Sequence, residues 1–166
     1  MPETQASPSD RKREQAASLA LLALRITAGS ILAVHGWAKL SDVAGTAQSF
    51  ARLGLPAPQA LVYLAVAGEL FGGLGLAAGF LTRIAALGPL CTMLVAILTV
   101  HLGNGLLAKN GGFEYPLLLL LVSAFFAVNG AGAWSFDAAF DARGARGPSS
   151  VRRDSRMREQ IPSQPL

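Results

Sequence analysis

Residues 16–37 form a run of 22 in which Arg25 and His35 are the only ionisable side chains. As an α-helix that run is about 33 Å long, enough to cross a hydrocarbon core of about 30 Å. Three more apolar runs follow, over residues 59–81, 84–101 and 115–129. A soluble helical domain needs a polar face on each helix, and these runs have none. The composition agrees: 52% of the chain is apolar and 14% charged. The charges crowd into residues 3–14 and 137–159. The expected fold is all-α, a transmembrane four-helix bundle.

The first run is long for a cleaved leader, Arg25 interrupts it, and no small-x-small site ends it, so it reads as a retained helix. Thr82 and Arg83 alone link the second and third runs, which forces an antiparallel hairpin. The fourth run has an apolar stretch of about 15 residues, short for a crossing, with residues 131–136 as its natural continuation and Trp134 at the interface. Residues 41–58 read as a loop broken by Gly45, Gly54, Pro56 and Pro58, and residues 102–113 as a glycine-rich loop. The bounds are then a disordered tail over 1–15, a helical membrane domain over 16–140, and a disordered basic tail over 141–166.

Basic residues set the orientation. Arg11, Lys12, Arg13, Arg83 and the tail arginines share one side, while Lys39, Arg52 and Lys109 share the other. The positive-inside rule places both termini in the cytoplasm. The net charge of +4 belongs to these flanks, which argues against nucleic acid as a partner and for the lipid bilayer. Cys91, the single cysteine, has no internal disulfide partner and reads as a small packed residue. Gly68, Gly72, Gly75 and Gly79 have the four-residue spacing that lets helix backbones approach in lipid, although small residues are common in such helices anyway.

Ionisable residues inside a span are candidates for function. Counted from the ends of the runs, Arg25 and Glu69 fall at similar depth, which predicts an Arg25–Glu69 ion pair. His35 and Lys39 follow Arg25 on one helical arc toward the outer face. His101 ends the third run at that level, and Asn104, Glu114 and Tyr115 lie close by in sequence. The expectation is one outer pocket holding His35, Lys39, His101, Asn104, Glu114 and Tyr115. The plainer alternative is that each points separately into the headgroups.

Several motifs together resemble the DoxX family. They are Arg25 with His35-Gly36-x-x-Lys39-Leu40, then Leu53-Gly54-Leu55-Pro56, Glu69-Leu70-x-Gly72-Gly73 and Leu81-Thr82-Arg83. His101-Leu102-x-Asn104-Gly105 and Gly112-Phe113-Glu114-Tyr115-Pro116 complete the pattern over residues 19–140. The resemblance implies a small four-helix protein of a prokaryotic cytoplasmic membrane. The family name comes from a subunit of a thiosulfate:quinone oxidoreductase, and other members are linked to redox and stress systems as partners of other proteins. Family membership alone does not establish catalysis.

Different functions remain open on the residues. One is a redox-associated subunit that meets a quinone near the outer leaflet. His35, His101 and Tyr115 would then hydrogen-bond the ring, Glu69 and Glu114 would relay protons, and Arg25, Lys39 and Asn104 would bind. Electrons would come from a protein partner in a membrane redox complex. A second is a non-catalytic scaffold or assembly partner, its polar residues anchoring the helices. A metal or haem site on His35 and His101 is geometrically permitted but has no dense ligand motif. A transport pathway through four helices would require a homo-oligomer.

Overall fold

A computed structural model describes residues 7–145. All regular structure among them is helical. Helix α1 spans Pro8–Ser41 and has 34 residues, about 51 Å of helix. It therefore begins well before the apolar run. The Ser7 side chain accepts from the Ser9 N–H at 3.2 Å, and Asp10 accepts from the Ser7 N–H at 3.2 Å. This capping box, with Pro8 in the first turn, starts a helix where the sequence suggested a tail. Residues 8–15 are thus helical, while the rest of that tail, residues 1–6, lies outside the described residues.

Helix α2, Val43–Arg52, occupies most of the expected 41–58 loop. Asp42 caps it, accepting from the Gly45 N–H at 2.9 Å. Gly45 is not a breaker there, because it sits against the capping carboxylate: a Cβ would lie 2.2 Å from Asp42 Oδ2. Helix α3, Pro58–Ala78, and helix α4, Thr82–Asn104, form the predicted hairpin. Each contains a π-helical turn, over Ala67–Phe71 in α3 and Ile97–His101 in α4. Helix α5 is Glu114–Asn129, 16 residues. It does not continue through 131–136. Gly130 and Gly132 adopt φ of +77° and +78°, which turns the chain back before helix α6, Phe136–Ala145. Residues 141–145 of the expected second tail belong to α6, and residues 146–166 lie outside the described residues.

Three helices, α1, α3 and α4, are long and apolar enough to cross a membrane, and α5 is a shorter apolar helix beside them. Glycines decide how closely they pack. A Cβ on Gly29 would lie 2.6 Å from Gly73 O, and one on Gly36 2.4 Å from Leu70 N, so α1 and α3 touch backbone to backbone. Gly68 meets Gly88 and Thr92 of α4, and Gly72 meets Ala85 and Pro89. The spaced glycines of α3 therefore serve close approach within the chain. Ala28, Leu32, Leu76, Ala86, Met93, Leu119 and Phe126 fill the centre. Large apolar side chains such as Val34, Phe71, Ile84 and Val128 are exposed around the outside, where a bilayer would surround them.

Candidate functional site

Because α1 and α3 are antiparallel, Gly36 faces Leu70, Gly29 faces Gly73 and Ala77, and Arg25 lies against Gly79. Arg25 is therefore opposite a residue ten positions beyond Glu69, about 15 Å along the helices. The expected Arg25–Glu69 pair does not form. The depth count started from residue 16, whereas α1 starts at Pro8 and carries Arg25 at the hairpin end.

Arg25 is 2% exposed and acts as a clamp on the chain after α5. Its Nη1 donates to the Ala131 carbonyl at 2.8 Å and its Nη2 to the Trp134 carbonyl at 2.7 Å. Gly79, at φ +70°, leaves the space that the guanidinium fills: a Cβ there would lie 2.3 Å from Nη1. Asp137 completes this lock. Its carboxylate accepts from the Leu81 N–H at 2.7 Å and the Thr82 N–H at 2.9 Å, capping α4 from α6, while its own N–H donates to the Gly79 carbonyl at 2.9 Å. Burial raises the Asp137 pKa, but those N–H groups and the Arg25 charge outweigh it and hold the carboxyl below its ordinary range. Asp137 was not among the expected residues. Its signal is one of two aspartates in a short helix, and its partners are 55 and 56 positions away.

Glu69 instead pairs with Lys39, whose ammonium donates to Oε2. Glu69 is 3% exposed, so its charge needs that partner. It sits on the π-helical turn of α3, where an extra residue re-aims the side chains of the helix. The pair borders a cavity of about 860 Å3.

His35, Lys39, Glu69, His101 and Tyr115 all line that cavity. The His35 and Tyr115 rings lie 6.0 Å apart and tilted by 43°. The His101 Nδ1–H donates to the Gly111 carbonyl at 2.7 Å, an assignment that follows from the acceptor and leaves Nε2 free. Like Glu69, His101 lies on a π-helical turn. Apolar side chains, among them Leu61, Leu64, Met93 and Leu119, supply most of the remaining wall, with Phe50 of α2 and Leu55 beyond it.

Three of the candidate site residues are elsewhere: two expected in the pocket, Asn104 and Glu114, and the candidate binding residue Arg25. Arg25 belongs to the lock. Asn104 donates to the Val100 carbonyl at 3.2 Å and the Gly111 carbonyl at 3.3 Å, and Glu114 accepts from the Ala108 N–H at 2.6 Å. Neither borders the cavity; both hold the 105–113 loop in shape. The loop closes tightly because Gly112 packs under Gly105 and Leu106, with only 2.4 Å between a Cβ there and the Gly105 carbonyl oxygen. Cys91 is not packed inside α4 as expected; it is exposed and borders the cavity.

Long apolar helices, an apolar exterior and buried ion-paired polar groups define a small multi-pass membrane protein. The chain belongs to the DoxX family, whose model matches residues 20–102. It is 38% identical over 109 residues to a protein of Bacillus subtilis (strain 168) named "Putative oxidoreductase CatD", covering 66% of this chain and 78% of that one. No solved structure matches the chain. The family match includes Arg25, His35, Lys39, Glu69 and His101 and ends before Tyr115 and Asp137.

Proposed function

We propose that this chain is a redox-associated subunit of a prokaryotic cytoplasmic membrane whose cavity receives the ring of a quinone. The observation that carries the reading is the gathering of His35, Lys39, Glu69, His101 and Tyr115 in one otherwise apolar cavity between membrane-length helices. In this reading α5 is a fourth span of a four-helix bundle and both termini are cytoplasmic. Arg11, Lys12, Arg13, Arg83 and Arg143 lie toward the terminal side and support that orientation.

A quinone has an apolar ring with two carbonyl acceptors. The Tyr115 hydroxyl and the Lys39 ammonium are donors suited to them. His101 holds its Nδ1–H on Gly111, so Nε2 can accept a proton from a hydroquinone hydroxyl or, when protonated, return one. Glu69 steadies Lys39 and carries the second proton, taking it from a hydroquinone hydroxyl or, when protonated, giving it to a quinone carbonyl. Reduction of the quinone takes two electrons and two protons; the electrons come from a protein partner. His35, beside Tyr115, orients the phenol ring.

Titrating the purified protein in lipid nanodiscs with a short-tailed benzoquinone tests this. Saturable binding is expected, with at least a tenfold loss in Tyr115→Phe combined with His101→Ala. Folded protein that shows no saturable binding contradicts the reading and favours the alternative, a non-catalytic scaffold of a redox complex.

A further inference from the structure

The walls of the cavity differ. Its ionisable and phenolic groups come from α1, the π-helical turns of α3 and α4, and α5, whereas Leu64, Leu87, Cys91 and Val95 face it from α3 and α4. Those four are also on the outer surface: Leu64 is 65% exposed, Leu87 51%, Val95 49%, and Cys91 is exposed as well. His35, Thr99, Val100, Ala108, Gly111 and Tyr115 border the cavity and are exposed as well, so the cavity also opens toward the loop end, and the four are set apart by their height on α3 and α4.

That height follows from the helices. Cys91 is nine residues into α4, about 14 Å from the hairpin end, and Leu64 is six residues into α3, about 9 Å from the other end. Both are within the length that spans hydrocarbon. The α3 and α4 backbones touch at Gly68 and Gly88, and Leu64 and Cys91 lie about one turn from that crossing toward the loop end. At the loop end the cavity is bordered by Phe50, Leu55 and the tightly folded Gly111–Gly112 segment. Size points the same way. A quinone ring is no larger than a tyrosine side chain, and about 860 Å3 is near the upper end of the range of about 300–1,000 Å3 for small-ligand pockets. The ring alone leaves most of that space, and most of its apolar wall, unused.

We infer that Leu64, Leu87, Cys91 and Val95 frame a lateral portal between α3 and α4, through which a lipid-soluble ligand enters from the bilayer interior and in which its hydrocarbon tail remains. The inference rests on the quinone reading above and adds the route and the ligand class: a tailed, membrane-dissolved quinone rather than a water-soluble one. Entry from the side also avoids passing the ring through the Gly111–Gly112 loop.

Photolabelling separates the two claims. Two probes are used on the whole protein in nanodiscs: an alkyl benzoquinone with a diazirine at the end of its tail, and one with the diazirine on the ring. Adducts are mapped by mass spectrometry, with and without excess unlabelled quinone. The expected result is tail adducts concentrated on residues 61–65 and 87–95, most of them removed by competitor, and ring adducts near Lys39, Glu69, His101 and Tyr115. Competed ring adducts with tail adducts on residues 50–57 or 102–113 would overturn the portal while leaving the quinone site. Tail adducts spread evenly over all lipid-facing helices and insensitive to competitor would overturn it too. If neither probe gives competed adducts, the quinone site and the portal both fall.

Discussion

Lys39, in the last turn of α1, closes an ion pair with Glu69 on the π-helical turn of α3, and this contact sets one edge of the cavity. Glu69 is almost completely buried and Lys39 half-buried, so the two positions are not equivalent. Lys39→Ala leaves a buried carboxylate without a partner and is expected to destabilise the protein by about 3–5 kcal/mol. The double change Lys39→Met with Glu69→Leu removes both charges and should lose less than Lys39→Ala alone. Unfolding in mixed micelles measures both. A double variant much less stable than the single one would contradict the pairing.

Arg25 and Glu69 should behave independently. They lie about 15 Å apart and share no partner. The losses of Arg25→Ala and Glu69→Gln are expected to add within about 0.5 kcal/mol. Arg25→Lys should rescue little, because a single ammonium cannot reproduce the guanidinium fork on Ala131 and Trp134. The same unfolding assay, run on the single and double variants, decides it.

Asp137 should make the α4–α6 contact acid-sensitive. Its folded pKa is held below the ordinary value of 3.8, so its contribution is complete above the unfolded pKa and is lost as pH falls through the folded one. Hydrogen exchange at the Leu81 and Thr82 amides is expected to rise below about pH 4 in the native protein, the range set by an ordinary aspartate. Asp137→Ala should show the raised exchange already at neutral pH, with a stability loss of about 0.5–2 kcal/mol, the usual size for a lost helix cap.

Gly88→Val is expected to push α3 and α4 apart, since a Cβ at Gly88 would lie 2.8 Å from Gly68 Cα. A loss of at least 1–3 kcal/mol follows from overpacking of about this kind. Gly103→Ala, whose Cβ would meet nothing within 4 Å, is the control and should be near neutral.

The helices could be read directly from the chain because hydrocarbon-length apolar runs have few other solutions. Finer features were legible only where helix direction and depth alone decide; Lys39 and Glu69 were both candidates, but their pairing was not read. His35, Lys39, His101 and Tyr115 could be grouped from helix direction and depth alone. Arg25 could not be placed, because its partners are backbone carbonyls of Ala131 and Trp134, which leave no mark in the residue types. Helix α2 was hidden by Gly45, whose role depends on the Asp42 cap beside it. The π-helical turns at Glu69 and His101 shift the phase of each helix by a residue, which a count at regular α-helical spacing does not contain. Glu114 and Asn104, at the ends of α5 and α4, had the right position for the cavity, but local N–H and carbonyl partners turn their side chains onto the loop.

The proposed quinone site is tested most directly by what the protein retains when it is purified gently from its membrane. Solvent extraction and mass spectrometry should recover a quinone at close to one molecule per chain. The yield should fall at least tenfold in Tyr115→Phe combined with His101→Ala at an equal amount of folded protein. Wild-type protein that yields phospholipid but no quinone, after purification from quinone-containing membranes, would contradict the account.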